Sequence, residues 1–156
     1  MAESTPAIEA LTGTGLKHRV VRTRPANSPE ESAELQGIEL GALIRTLVVR
    51  RGEDDHLFVL VPGGRRFEWP KLRAHLGVKR MSMPDADEAK AVTGYERGAI
   101  TPFGSSRALP VIVDAAALEH DTVAIGGGAR GVNLHLSPHD LVEHLGAEVA
   151  DVTAPS

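Results

Sequence analysis

The chain has 156 residues, a length that predicts one domain with a buried hydrophobic core. Its formal net charge of −4 excludes a broad, non-specific nucleic-acid binder, although a local basic patch could still bind RNA. There is no cysteine, which excludes disulfides, thiolate zinc sites and a cysteine nucleophile. Neither a signal peptide nor a membrane helix is recognisable, so we expect a cytoplasmic protein without a membrane partner.

The first half of the chain predicts a strand, a helix and a hairpin. Residues 1–14 are rich in small side chains and are expected to be a flexible segment that precedes one domain over residues 15–153. Ser28 begins a capping-box sequence, which predicts a helix that ends at Gly37. The other elements expected here are a strand over 17–23, a helical turn over 40–44, and a hairpin of two strands over 46–51 and 56–61.

The second half of the chain alternates helices and apolar strands. Helices are expected over 68–76, 84–93 and 137–146, and strands over 109–114, 122–125, 132–136 and 147–152. Asp85, Asp87 and Glu88 open the second of these helices, where acidic side chains suit the helix dipole, so no catalytic carboxylate pair is assigned there. Hairpins mixed with helical crossovers predict an α/β (mixed α+β) domain, with a central mixed sheet flanked by helices.

The seven histidines and the serines do not form a recognisable metal or catalytic site. His135 and His139 are four residues apart, but a strand-to-helix break between them keeps them off a common helix face. The other histidines lie singly, and all are interpreted as surface residues rather than ligands. Ser105 and Ser106 lack the G-x-S-x-G pattern of a nucleophile elbow and are interpreted as turn residues. No metal or cofactor is therefore expected.

Three other features could carry chemistry. Arg45 is predicted to lie just before an apolar strand, where it marks a sheet edge or pocket mouth, or is simply solvated or salt-bridged. Gly98, Pro102 and Gly104 make residues 94–104 a loop whose backbone can approach a ligand closely, although an ordinary linker is the alternative, and its part 98–102 is here called the proline loop. Residues 126–128, here called the glycine turn, indicate either a backbone close to a ligand or an unusual turn. Arg130 follows this turn and could bind a phosphate or carboxylate, or form a surface ion pair.

The order of short motifs along the chain resembles one family. The motifs are Leu-Ile-Arg-Thr-Leu-Val-Val at 43–49, Leu-Val-Pro-Gly at 60–63, Thr-Gly-Tyr at 93–95, Gly-Ala-Ile-Thr-Pro at 98–102, Leu-Pro-Val-Ile-Val-Asp at 109–114 and Gly-Gly-Ala-Arg-Gly at 127–131. Each motif alone is weak, but their ordered set over 17–152 resembles the YbaK/EbsC family of aminoacyl-tRNA editing domains. That family includes the editing domain associated with prolyl-tRNA synthetase, and the resemblance implies its strongly curved mixed sheet.

The resemblance also implies an activity and the residues that carry it. It implies a trans-acting deacylase that hydrolyses the ester of a mischarged aminoacyl-tRNA by positioning the substrate and stabilising the oxyanion, without a metal, cofactor or protein nucleophile. Its partners would be a tRNA acceptor end that carries an amino acid and, as a further candidate, an aminoacyl-tRNA synthetase. Arg45 holds the position of the family's catalytic lysine, and the implied substrate-binding residues are Thr46, Gly98, Ile100, Thr101, Pro102, Gly126, Gly127, Gly128 and Arg130.

Two positions depart from the family pattern. Arg45 replaces the lysine, and arginine keeps the charge but cannot act as a neutral-amine base. Gly126 stands where many members of the family carry a serine or asparagine. The alternative function is therefore a catalytically weak or inactive member that binds a tRNA acceptor end or an aminoacyl nucleotide.

Overall fold

The computed structural model describes residues 4–156 of the chain. In this part, the α-helices are α1 Pro6–Leu11, α2 Pro29–Gln36, α3 Trp69–Leu76, α4 Ala86–Thr93 and α5 Pro138–Leu145. The strands are β1 Arg19–Arg22, β2 Leu43–Gly52, β3 Asp55–Pro62, β4 Arg65–Phe67, β5 Val111–Asp114, β6 Val123–Gly126, β7 Val132–Leu136, β8 Glu148–Ala150 and β9 Thr153–Pro155. Two 3₁₀ turns, Leu40–Ala42 and Ala115–Glu119, precede β2 and follow β5.

Seven strands form one mixed sheet in the order β1-β7-β6-β2-β3-β5-β8, and β4 pairs with β9 in a separate ribbon. The central strand β2 runs antiparallel to β3 along most of its length and parallel to β6 at its first residues only. The pairs β3–β5 and β5–β8 are parallel, whereas β1–β7 and β6–β7 are antiparallel. The arrangement confirms the predicted α+β domain with a mixed sheet.

The side chains of the sheet alternate between two cores, as the period of two in a strand requires. One side, here called the α1 face, packs β2 and β3 against α1 through Ile44, Val48, Phe58, Leu60, Ala7 and Leu11. The opposite side, the α3 face, packs the same strands against α3 through Val49, Leu57, Val59, Val61 and Leu72. Because β2 is regular from Ile44 to Arg50, Thr46 projects to the α1 face and Arg45 to the α3 face.

Local sequence signals predict the helix ends well. Ser28 caps α2 by accepting from the N–H of Glu31 at 3.1 Å, and Gly37 ends the helix with a φ of 70°. The carboxylate of Glu31 accepts from the N–H of Asn27 at 3.0 Å, and this hydrogen bond lowers the pKa of Glu31. Ser137 caps α5 in the same way as Ser28 caps α2.

The segment expected to be flexible contains a docked helix. Residues 1–3 lie outside the described residues. Thr5 caps α1, and two residues of this helix, Ala7 and Leu11, are fully buried in the α1 face. A helix this short has little stability of its own, so its packing on the sheet decides that it forms. The composition of residues 1–14 gives no sign of that packing.

Two further features differ from the expectation. The ribbon of β4 and β9 is not predicted, because a three-residue strand is too short to show alternation. Arg45, which was expected just before a strand, lies inside β2, because the preceding helical turn ends at Ala42 rather than Ile44. Its neighbours in the sheet therefore fix the direction of its side chain.

Two histidines that were interpreted as surface residues are buried. His56 and His135 are each 5% exposed. The Nε2 atom of His135 lies 2.9 Å from Oε1 of Gln36, a contact that joins α2 to β7. Burial, and then the nearby charge of Arg19, lower the pKa of His135, so this imidazole packs in its neutral form.

The docking of α1 leads to a test with two glycines. Gly104 and Gly77 share a φ of 67°, but a Cβ at Gly104 would collide with the backbone of Pro6, whereas Gly77 faces open space. Both alanine substitutions strain a left-handed backbone by about 1–2 kcal/mol, and only Gly104→Ala also displaces α1. We therefore expect Gly104→Ala to lower the free energy of unfolding more than Gly77→Ala in urea denaturation. Equal losses would contradict a docked α1.

Candidate functional site

The candidate site is built around an edge of β2 that has no partner among residues 4–156. The ladder with β6 ends at Ile125, and the next partner on that side is Ser82, which exchanges backbone hydrogen bonds of 2.8 and 3.0 Å with Arg50. Alternate residues of a strand direct their backbone N–H and C=O groups to the same side. The N–H and C=O groups of Thr46 and Val48 therefore point to the same side of β2 as those of Arg50, which bond to Ser82. We call the segment from Thr46 to Val48 the open edge, since it offers backbone donors and acceptors to a ligand.

The proline loop and the glycine turn meet beside the open edge. The register of β2 and β6 places Gly126 next to Arg45. A Cβ at Gly126 would lie 3.5 Å from the carbonyl oxygen of Ile100, and a Cβ at Gly98 would lie 4.0 Å from Nε of Arg130. The structure therefore brings together the two segments that the sequence singled out.

The three glycines of the turn are not equivalent. A Cβ at Gly127 would lie 2.8 Å from the side chain of Val132, and a Cβ at Gly128 would lie 3.1 Å from Thr5 and Tyr95. Packing within the chain thus requires two of the glycines. The nearest atom to a Cβ at Gly126 lies at an ordinary contact distance, so this position has room for the serine or asparagine of the family pattern.

Two threonine hydroxyls in these segments have no hydrogen-bond partner. Oγ1 of Thr46, on the α1 face, and Oγ1 of Thr101, in the proline loop, are both buried and unpaired within the described part of the chain. Thr101 as a whole is 0% exposed. An unpaired buried hydroxyl costs about 1–3 kcal/mol, so a ligand or water that completes the bond is the expected partner. These hydroxyls are candidate polar contacts to a substrate.

Buried hydrogen bonds hold the proline loop and the glycine turn in place. The hydroxyl of Tyr95 donates to the carbonyl of Phe103 at 2.6 Å, and that of Thr5 donates to the carbonyl of Gly127 at 2.5 Å. Burial raises the pKa of Tyr95 to about 12, so the phenol remains a donor. The Thr-Gly-Tyr motif therefore positions the loop, and α1 positions the turn.

Arg45 and Thr46 were assigned to one site, but they project to opposite faces of the sheet. Arg45 is exposed beside Gly126 and makes no ion pair or hydrogen bond with another described residue. Arg130 is likewise exposed, with no such partner in residues 4–156. Both guanidinium groups are thus available to an anion that approaches from solvent.

Two clefts lie on either side of this region. One of about 210 Å³ is lined by Pro102, Phe103 and His144, behind the proline loop. The other, of about 320 Å³, lies at the far end of β2 and includes His56 and Glu88, whose Nε2 and Oε2 atoms are 2.7 Å apart. Sequence reasoning missed this pair because the histidine was interpreted as exposed and the glutamate as a helix-dipole charge. The apolar run that follows His56 was the available sign of its burial.

No group of three or more histidine, aspartate or glutamate side chains in residues 4–156 is arranged to hold a metal ion. No helix in this part of the chain has the length and apolar character needed to span a bilayer.

The chain matches known proteins in sequence and in structure. The family model for the aminoacyl-tRNA editing domain matches residues 23–144. EbsC of Enterococcus faecalis, whose name assigns it to Cys-tRNA(Pro)/Cys-tRNA(Cys) deacylation, is 28% identical over 81% of this chain and 77% of its own length. ProXp-y of Escherichia coli K12, named as a multifunctional Ser/Thr-tRNA deacylase, is 27% identical over 85% of this chain and 82% of its own length.

A solved structure shares the whole fold. A crystal structure titled as a trans-editing enzyme for prolyl-tRNA synthetase superposes with a TM-score of 0.88 at 28% identity. The match covers 97% of this chain and 99% of that one. Together with the family match over most of the sequence, this establishes what the motif order indicated: the chain belongs to the aminoacyl-tRNA editing domain family.

Proposed function

We propose that the protein is a trans-acting deacylase that hydrolyses the ester of a mischarged aminoacyl-tRNA. The observation that carries the proposal is the open edge, with the buried, unpaired hydroxyls of Thr46 and Thr101 and the glycine turn around it. In a chain of the editing-domain family, such a cluster of unused donors and acceptors suits a small polar group such as an aminoacyl ester.

The proposed reaction is the attack of water on the ester carbonyl. The water oxygen bonds to the carbonyl carbon, the bond from that carbon to the ribose oxygen breaks, and a proton passes to the ribose oxygen. Charge develops on the carbonyl oxygen in the transition state, and the N–H of Thr46 with the hydroxyls of Thr46 and Thr101 are the available donors to it. The products are a free amino acid and a free tRNA.

The proton that leaves the attacking water goes to solvent or to the substrate. Thr46 and Thr101 carry neutral hydroxyls, and a guanidinium group such as that of Arg45 has no acceptor for a proton. A hydroxyl or amino group of the substrate itself is a suitable acceptor. Catalysis then depends on holding the ester, a water and the donors in one geometry.

Arg45 is proposed to bind a phosphate of the terminal nucleotide. It is exposed and unpaired among the described residues, and a guanidinium binds phosphate oxygens in a bidentate manner. Its projection to the α3 face separates it from the hydroxyls of the open edge, so it orients the nucleotide while the edge holds the acyl group.

A second candidate function is binding without turnover. It is favoured by two observations: arginine replaces the expected lysine at position 45, and a glycine without a polar group stands at position 126, where the family pattern has a serine or asparagine. Such a protein would bind a tRNA acceptor end or an aminoacyl nucleotide. An aminoacyl-tRNA synthetase is a further proposed partner, since the similar solved structure is titled for prolyl-tRNA synthetase.

Release of labelled amino acid decides between the two functions. We expect the protein to release the amino acid from at least one of alanyl-, seryl-, cysteinyl- and threonyl-tRNA faster than the uncatalysed rate. No release from any member of the panel, together with measurable affinity for a non-hydrolysable aminoacyl-adenosine, would establish the binding function instead.

Substitutions of Arg45 test its role in binding phosphate. Arg45→Ala should lower kcat/KM by about tenfold to a hundredfold, the worth of a charged hydrogen bond, whereas Arg45→Lys should retain at least wild-type activity. Arg73→Ala is the matched control, because Arg73 is a similarly unpaired arginine among the described residues and belongs to α3 rather than to the open edge, the proline loop or the glycine turn. A fall in activity in Arg45→Lys would show that the guanidinium fork itself is required.

The unpaired hydroxyl of Thr101 predicts opposite effects on stability and activity. Thr101→Val removes an unsatisfied group, so the thermal midpoint should hold or rise while kcat/KM falls by about tenfold or more. In the control Thr93→Val, the lost hydroxyl donates to Ala89 at 2.8 Å and accepts from Tyr95 at 3.1 Å, so stability should fall. A Thr101→Val variant with full activity would remove this hydroxyl from the proposed site.

A further inference from the structure

The positive charges of the chain are unevenly distributed. The lysines and arginines that make no ion pair or hydrogen bond with another described residue are Lys17, Arg45, Arg73, Lys79, Arg80, Arg97 and Arg130. Five of these seven belong to segments that adjoin the open edge: Arg45 lies in β2, Arg97 and Arg130 adjoin the proline loop and the glycine turn in the sequence, and Lys79 and Arg80 precede Ser82.

Beyond the open edge, past the bridge between Arg50 and Ser82, lies the larger of the two clefts, which contains two more arginines. This cleft of about 320 Å³ is lined by Arg50, Asp54, His56, Glu88 and Arg107, together with two apolar residues of α4. Nη1 of Arg107 lies 2.8 Å from Oδ1 of Asp54, and Nη1 of Arg50 lies 3.6 Å from Oε1 of Glu88. The two arginine side chains are 42% and 41% exposed, and each keeps further N–H donors for an anion.

The carboxylates of the cleft fix the positions of the arginines. His56, whose side chain is 3% exposed, holds the second oxygen of Glu88, so the first oxygen faces Arg50. The hydrogen bond from Arg107 lowers the pKa of Asp54, which keeps that carboxylate ionised. Exposed ion pairs add little to stability, so the main effect of these contacts is on the orientation of the two guanidinium groups.

The distance from Thr46, in the open edge, to Arg50, just beyond it, fits a short single strand of nucleic acid. Arg50 follows Thr46 by four residues, which places the two about 13 Å apart along a strand that rises about 3.3 Å per residue. Stacked nucleotides rise about 3.4 Å each, so about four of them span this distance. The 3′ end of a tRNA is a single strand of this order of length, with the ester on its terminal ribose.

We propose that the single-stranded 3′ end of the tRNA lies along the open edge of β2, with its terminal ribose at Thr46 and an upstream phosphate bound by Arg50 and Arg107. The inference rests on the proposed function, which places the ester at Thr46. Met83 is 49% exposed next to Ser82 and supplies an apolar surface for a base of this strand. The unpaired cations of the segments that adjoin the edge attract the remaining backbone.

The test compares Arg50→Gln/Arg107→Gln with Arg24→Gln/Arg66→Gln, which removes two exposed, ion-paired arginines elsewhere on the surface. The substrates are an aminoacyl-tRNA and the matching aminoacyl-adenosine, which keeps the ester but lacks the upstream phosphates. The first variant should raise KM for the aminoacyl-tRNA about tenfold with kcat unchanged, and should act normally on the aminoacyl-adenosine. Equal losses on both substrates, or equal effects of both double variants, would overturn the proposal.

Binding of uncharged tRNA separates this proposal from the deacylase function. In fluorescence anisotropy, the slope of log affinity against log salt should become shallower by about 0.7–0.9 for each phosphate contact that the Arg50→Gln/Arg107→Gln variant loses. A wild-type protein that binds tRNA in this way but releases no amino acid would overturn the deacylase function alone. An unchanged affinity and slope in the variant would overturn the proposed RNA path alone.

A charge-conserving variant checks that the effect comes from charge and not from folding. Arg50→Lys/Arg107→Lys should bind tRNA with an affinity within about threefold of the wild type. Its thermal midpoint should equal that of the wild type. A loss of affinity as large as in the glutamine variant, at an unchanged thermal midpoint, would overturn the phosphate assignment. If the double glutamine variant has a lowered midpoint, Arg107→Gln alone repeats the measurement, because its partner Asp54 is exposed and its loss removes no buried contact.

Discussion

The site depends on the unequal lengths of two neighbouring strands. β6 ends at Gly126, whereas β2 continues to Gly52, and beyond the β6 ladder its neighbours among the described residues are β3 on one side and the bridge residue Ser82 on the other. Unpaired backbone groups at a sheet edge pair with any strand that approaches, so proteins normally cover or interrupt them. Here the glycine turn closes one end of the edge and Ser82 closes the other. The stretch between them presents oriented donors and acceptors without a specialised catalytic side chain.

Several residues around the open edge have no reactive group, and their role is to hold the proline loop and the glycine turn beside it. Tyr95 and Thr5 carry buried hydroxyls that fix the proline loop and the glycine turn, and Gly127 and Gly128 have neighbours that leave no room for a side chain. Positioning-based catalysis needs such rigid support, because a small displacement of donors weakens their effect on a developing charge. α1 belongs to this support, since its cap residue is the donor to the turn.

The two departures from the family pattern are neighbours in the structure. The register of β2 and β6 places Arg45, bulkier than the expected lysine, beside Gly126, which lacks the expected polar side chain. Arg45 and Gly126 are therefore neighbours in the sheet although they lie far apart in the chain, and Arg45 keeps its charge without an ion-pair partner among the described residues.

The sequence by itself determined the mixed α+β class, the helix ends at Ser28 and Gly37, the β2–β3 hairpin and the family, because capping, alternation and motif order are local properties of the chain. Only the tertiary structure decided that α1 docks and that Arg45 and Thr46 project to opposite faces. It also decided that His56 and Glu88 support an arginine cleft beyond the open edge. These features arise from contacts between residues far apart in the chain, which no local pattern encodes.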